Sequence, residues 1–422
     1  MKYMELGKFG FSFVKGINPV KSKEGEALLI PSGAIFPAGV NYSKTHKIIP
    51  DPLDKNKVLK ESDILFNTGG EGTIGRCSLF KLQNTECYAD GFVVRLRDEK
   101  RIAIPDYVFH ALCYNDTLNQ INNLKDGTTG ITSIKVSNIK KLVLPFFEIA
   151  EQQTIASILS KTDEAIAETE ILIVKYNRIK TGLMQDLLTK GIDENGNIRS
   201  EETHEFKDSP LGRIPKEWDV AKLGELITAI DPQPDHRTPP SVSDGIPYLG
   251  ISDFLESGEI DAKNCRRVSD HVFEKQSKAF TIESGDLIFG KIGTIGKPKI
   301  LPDVKGAKYA LSANVILIKP NECPSFIYWT LISKYITDQV NLAIHSTSQP
   351  AFGMEKIRSL DIITPKPDER IRISEKLVKL ESLLNAQKIN LRKLNSLKVG
   401  LMQDLLSGNV RVSNITPNQS AS

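Results

Sequence analysis

The chain has 422 residues, enough for two or three domains that each bury a core. Hydrophobic residues make up 40% and charged residues 25%, which excludes a chain disordered over most of its length. The net charge of +3 is compatible with nucleic acid but does not argue for it, because clustering matters more than the total. No apolar run approaches the roughly 18 residues of a membrane span. The start, Met1-Lys2-Tyr3-Met4-Glu5, lacks the apolar stretch of a signal peptide. Five cysteines, Cys77, Cys87, Cys113, Cys265 and Cys323, are odd in number and far apart. Neither a disulfide framework nor a zinc cage is expected from them, and a reducing cytoplasm fits best.

In chain order, residues 1–145 read as a β-rich mixed globule. Short strand-like runs such as Phe92-Val93-Val94 alternate with Gly, Pro and Asn, and a helical stretch is expected at 106–118. Residues 146–190 read as one long helix; 150–188 hold no proline and one glycine. Residues 191–217 are polar, with Gly196, Pro210, Gly212 and Pro215, and read as a linker. A second mixed globule follows at 218–364, with Val315-Ile316-Leu317-Ile318 as a strand and a helical stretch at 325–340. A second long helix is expected at 365–408 and a flexible tail at 409–422. The fold class expected is α+β: two similar globules, each followed by a long helix.

The two halves are copies. Gly182-Leu183-Met184-Gln185-Asp186-Leu187-Leu188 recurs letter for letter as Gly400-Leu401-Met402-Gln403-Asp404-Leu405-Leu406, 218 residues later. The same offset matches Ile139 to Ile357, Glu151 to Glu369 and Ile155 to Ile373. Upstream the offset drifts: Asp63-Ile64-Leu65-Phe66 resembles Asp286-Leu287-Ile288-Phe289, and Gly72-Thr73-Ile74-Gly75 repeats as Gly293-Thr294-Ile295-Gly296. Each half therefore has a divergent front and a closely matched rear.

The rear segments carry a heptad seam. It runs Ile155, Leu159, Thr162, Ile166, Thr169, Ile173, Tyr176, Lys180, Leu183, Leu187 in the first, and Ile373, Leu377, Leu380, Leu384, Gln387, Leu391, Leu394, Lys398, Leu401, Leu405 in the second. Steps of four and three keep one stripe facing a partner helix. About 39 helical residues at 1.5 Å each reach nearly 60 Å, more than one such globule covers. Two similar halves in one chain should pack like a two-fold dimer, which makes the helices antiparallel. A second stripe, Ile158, Ala165, Leu172 and Ile179, with Met184, Leu188, Met402 and Leu406, exceeds what a two-helix seam buries. The surplus either covers the helix ends against the globules or receives helices of another protein, the reading favoured here.

These residues resemble the specificity subunit of type I restriction-modification systems. The resemblance rests on the helix entry Glu151-Gln152-Gln153-Thr154-Ile155 with its Gly-Leu-Met-Gln-Asp-Leu-Leu exit. It also rests on the connector from Gly191-Ile192-Asp193-Glu194-Asn195-Gly196 to Ser209-Pro210-Leu211-Gly212-Arg213-Ile214-Pro215, and on Trp218 before Lys222-Leu223-Gly224-Glu225-Leu226. Ile246-Pro247-Tyr248-Leu249 and Gly285-Asp286-Leu287-Ile288 fit as well. The first globule departs from the pattern: it has no leader like that of Trp218, and no clear counterpart of Pro247-Tyr248-Leu249. The resemblance implies two target-recognition domains that each read half of a split double-stranded DNA site. It implies helices that space them and dock two methyltransferase subunits, with restriction subunits joining. S-adenosylmethionine, ATP and Mg would then sit on those partners, and none of them on this chain. Adenine-N6 methylation and ATP-dependent cleavage would belong to the assembled complex.

Chemistry and position single out the candidate DNA contacts. Gly70-Glu71-Gly72-Thr73-Ile74-Gly75 satisfies a dinucleotide-binding pattern, but the next residues read as a strand, whereas that site needs a helix. The glycines are expected to make a hairpin or bulge. Arg76 and Lys297 follow that turn in the two halves, with Lys291 beside the second, as phosphate contacts or plain solvated cations. Lys44, Lys47, Arg266 and Arg267 are further cations suited to tracking a backbone. Two polar loops precede the last strand of each globule and supply Lys125, Thr128 and Thr129, and Ser346, Thr347, Ser348 and Gln349. They suit phosphates and base edges, or are ordinary surface loops. Pro234-Asp235 with Asp261-Ala262-Lys263 only loosely matches a nuclease metal motif, and the other half has no equivalent. The Asn-Pro-Pro-aromatic motif of an adenine methyltransferase is missing from the sequence. The helix-pair and partner interface is expected at Ile155, Leu159, Ile166, Ile173, Leu183, Met184, Leu187, Leu188, Ile373, Leu377, Leu384, Leu391, Leu401, Met402, Leu405 and Leu406. The reading is a non-catalytic, cytoplasmic DNA-specificity subunit; the rival is a coiled-coil scaffold that does not bind DNA.

Overall fold

The computed structural model describes residues 2–70, 72–124, 133–235, 237–255, 258–261, 263–302, 308–345 and 351–412. The chain divides into two compact units, one formed by 1–171 with 389–422, the other by 172–388.

The first unit is built on a four-stranded antiparallel sheet in the order Phe11–Lys15, Val93–Asp98, Ile64–Asn67, Cys77–Leu79. Its central run Ile64-Leu65-Phe66 is buried on both faces, which is why it reads as continuous apolar sequence. Alternate residues point opposite ways. Ile64 and Phe66 join the core that holds Tyr107, Leu112 and Leu159, while Leu65 joins a smaller core with Ile30, Phe80 and Val93. A three-stranded sheet places Ala27–Ile30 between antiparallel His46–Ile48 and parallel Cys87–Ala89. Lys2–Glu5 pairs with Val143–Phe146.

The second unit repeats all of this. Ile227–Ile230, Val315–Pro320, Leu287–Gly290 and Gly296–Ile300 form the four-stranded sheet in the same order. Ile246–Leu249 lies between antiparallel Arg267–Val268 and parallel Ala310–Leu311. Asp219–Lys222 pairs with Asp361–Thr364. Pro247-Tyr248-Leu249 therefore does have a counterpart, Leu28-Leu29-Ile30, hidden from sequence by divergence. The shared Asp before each central strand also has a reason. Asp63 accepts the amide of Lys60 and two bonds from Arg97, at 2.7 and 2.6 Å; Asp286 accepts the amide of Glu283 and Lys319 Nζ at 2.7 Å.

Each expected helical stretch is two helices, Pro105–Leu112 with Asn115–Asn123, and Pro324–Leu331 with Lys334–His345. Tyr114 is extended and starts the second helix of the first pair. In the other pair the Ser333 hydroxyl accepts the Ile336 amide, as a capping side chain does.

The long helices are Ile149–Thr189, the central helix, and Pro367–Leu406, the distal helix. In the first unit Ile155 and Leu159 share a core with Leu401, Met402, Leu405 and Leu406. In the second, Leu183, Met184, Leu187 and Leu188 share one with Ile373 and Leu377. The start of each helix thus lies with the end of the other, the antiparallel arrangement; Leu188, Met402 and Leu406 are buried in these cores, which corrects the expectation that they receive a partner's helices. The seam lysines are ion-paired: Lys180 lies 2.5 Å from Glu381, and Lys398 2.5 Å from Asp163. Both lysines and both acids are related by the 218 offset.

The segments after the helices fold back, so 409–412 are not the start of a flexible tail; the rest of the expected tail, 413–422, lies outside the described residues. Arg411 makes two bonds, 2.6 and 2.7 Å, to Glu151, and Val412 is buried in the first core. In the second unit Arg199 pairs with Glu369, the repeat of Glu151. The linker is structured too: Phe206–Ser209 and Gly212–Pro215 form a hairpin, and Ile214 and Trp218 are fully buried.

Candidate nucleic-acid interface

In the first unit, residues 69–76 turn the chain from Ile64–Asn67 into Cys77–Leu79. Gly70, Gly72 and Gly75 have φ of +97°, +72° and +84°, the left-handed backbone that favours glycine. Asn67 stitches the turn from inside, donating from Nδ2 to the Thr73 carbonyl and accepting the Gly69 amide. The result is a hairpin loop, with a strand following it as the sequence reading expected.

Ser133 bridges to Gly69 of this turn. The second unit has the matching bridge, Ile292 to Ala351. In each domain the turn is therefore bridged to a residue about 60 positions further along the chain, Ser133 in one and Ala351 in the other. Lys125, Thr128, Thr129, Ser346, Thr347, Ser348 and Gln349 themselves lie outside the described residues.

The remaining candidates separate. Arg76 is half-buried, with its guanidinium 5.3 Å from the centre of the Phe36 ring, and exposed Lys44 stands at the same distance from that ring. Lys47 is exposed on His46–Ile48, the outer strand of the three-stranded sheet. Lys297 is exposed and sits at φ +49°, a strained conformation for lysine of the sort that clusters at functional positions. Arg266 and Arg267 hold a neighbouring loop by donating to the Pro239 and Gly245 carbonyls. Lys291 is corrected: it is 5% exposed and paired with Asp231 at 2.8 Å, so its charge is spent inside the domain. Sequence reasoning missed Phe36; in the second domain Lys299 lies 5.9 Å from the ring centre of Phe254, a core residue that follows its 3-10 turn as Ile35 does in the first.

Asp235 pairs with Lys275 and Asp261 bonds Asn264 within its own turn, so the loose nuclease motif does not converge. Among the described residues no three His, Cys, Asp or Glu are grouped to hold a metal ion, and no helix is long and apolar enough to cross a membrane.

A duplicated α+β domain, each copy carrying a cation-lined turn and a long helix, is the class this fold and surface define. The family model for the type I restriction modification DNA specificity domain matches residues 35–175 and 215–393, and the chain belongs to that family of non-catalytic specificity subunits. It is 25% identical over 389 residues to the type I restriction enzyme MjaVIII specificity subunit of Methanocaldococcus jannaschii, covering 86% of this chain and 82% of that one. It is 24% identical over 364 residues to the putative MjaX specificity subunit of the same organism, covering 83% and 79%. In fold it is similar to the S subunit of a type I system from M. genitalium, with a TM-score of 0.63 and 16% identity over 96% of each chain. It is also similar to a chain from a structure of type I complex assembly and conformational transition, with a TM-score of 0.51 and 15% identity over 97% of this chain and 98% of that one.

Proposed function

We propose that the chain reads a two-part double-stranded DNA target, one part per domain, and docks two methyltransferase subunits and, through them, restriction subunits. The observation that carries this is the repetition of one architecture with different surfaces. The three sheets recur in the same order, whereas the turn presents Arg76 in one copy and Lys297 in the other. Two domains of one design with different polar surfaces suit two different half-sites.

Docking is supported by apolar residues that the helix pair leaves uncovered. Ile171, Val174 and Ile179 on the central helix, and Val378, Leu383, Leu397 and Val399 on the distal helix, are 42–66% exposed. Exposed apolar positions on helices suit helices of a partner. The complex would methylate adenine at N6 and cleave DNA with ATP, with S-adenosylmethionine, ATP and Mg held by the partner subunits.

The test mixes the purified chain with the modification subunit of the same genome, and follows co-elution and methyl transfer from S-adenosylmethionine to duplex DNA. Methylation by the mixture and none by either component alone is expected. Co-elution without any binding of duplex would favour the scaffold reading instead.

A further inference from the structure

Two cations of the first domain share one aromatic ring. Lys44 Nζ and the Arg76 guanidinium each lie 5.3 Å from the centre of Phe36. The two charges are therefore no more than about 11 Å apart, within reach of neighbouring oxygens of one phosphate chain. Among the described residues neither forms an ion pair, in contrast to Arg97, Lys291 and Lys319, which each meet an aspartate.

The backbone around the ring is built for close approach. Phe36 and Gly39 pair across the short hairpin Ile35–Phe36 with Gly39–Val40. A side chain placed at Gly33, Gly39 or Gly72 would meet nothing within 4 Å. Gly39 and Gly72 have positive φ, which explains them locally, but Gly33 does not, so the fold itself gives no reason for a glycine there. Lys44 is fixed from below, because the Asn41 side chain caps its 3-10 turn by accepting the Ser43 amide at 3.1 Å. Arg76 ends the turn whose Gly69 bridges to Ser133.

We infer that Phe36, Lys44 and Arg76 form a preassembled seat for the DNA phosphate backbone on the first domain. This rests on the DNA-binding reading above. The ring face holds both cations in place before DNA arrives, so binding costs less side-chain freedom. The open glycines leave room for the sugar-phosphate chain to come near. Phe36 acts through the two cations and is a positioning residue.

Fluorescence anisotropy of the full chain on labelled random-sequence duplex, titrated between about 50 and 200 mM salt, tests this. Every phosphate that the protein neutralises steepens the fall of log affinity with log salt by about 0.9. Lys44→Ala with Arg76→Ala should weaken binding and flatten the slope by roughly 2. Phe36→Leu keeps both charges, so it should weaken binding about threefold with the slope retained. Glutamine versions of the lysine and arginine variants serve if the alanine ones melt early. Wild-type binding with the same slope in the double variant overturns the seat. No salt-dependent binding by the wild type overturns the DNA reading itself, and the seat with it.

Discussion

The Glu369 carboxylate is buried. Arg199 grips it from one side, Trp218 Nε1 donates to it at 3.0 Å, and the Ile192 amide donates at 3.0 Å. An acid this well bonded is stable while its partners stay, and costly once one leaves. Arg199→Met should therefore destabilise the second unit by about 3 kcal/mol. Thermal unfolding monitored by circular dichroism reads it, with the melting point expected to fall by about 10 °C. A change under about 2 °C would show that water reaches the carboxylate after all.

His110 gives the first unit a dependence on pH that its repeat lacks. The ring is buried, with Nε2 3.1 Å from the Ser160 hydroxyl. Burial, and then the nearby Lys398 charge, push its pKa down to about 3. The unfolded chain takes up a proton below about pH 6.5 that the folded one refuses, so stability is full above that pH. It is lost as pH falls from about 6.5 towards 3, at up to about 1.4 kcal/mol per unit. Trp329 holds the same place in the helix Pro324–Leu331 and does not titrate. Denaturant melts of wild type and His110→Gln across pH 7 to 4.5 should converge as pH falls; parallel curves would remove His110 from the account. Neither residue role could be read from the sequence, because Arg199 meets Glu369 across 170 residues and His110 meets Ser160 across 50. Only the repeat marked Glu151 and Glu369, and it named no partner for either.

At the scale of elements, the long helices were the most legible part of the chain. Their heptad stripe is a local pattern, and a period survives without knowledge of tertiary contacts. The domain strands were legible as apolar runs but not in their pairing. Ala27–Ile30 matches Ile246–Leu249 only through its neighbours, since differences in loop length break the sequence register. The antiparallel pairing has a direct check. Leu159 and Leu401 belong to the same core in the first unit. With the five native cysteines replaced, Leu159→Cys with Leu401→Cys should form a disulfide under mild oxidation, which requires Cα atoms within about 7 Å. Leu159→Cys with Leu377→Cys should stay reduced. The reverse outcome would turn one helix around.

For the whole molecule, duplication explains more than either half does. The structural devices occur twice: the aspartate before the central strand, the ion pair between the helices, and the arginine that returns to a helix entry. The surfaces expected to meet DNA are what differ. The sequence showed this as a matched rear and a divergent front, but not which loop residues converge, because the bridges of Gly69 to Ser133 and Ile292 to Ala351 are made only on folding. If each domain reads its own half-site, the halves should be exchangeable. The decisive measurement is methylation-site mapping in cells whose chain carries residues 1–145 of a relative with another target. One half of the methylated sequence should change to that of the donor and the other should stay as it was. A target changed in both halves, or in neither, would contradict a chain that reads DNA with two separate domains.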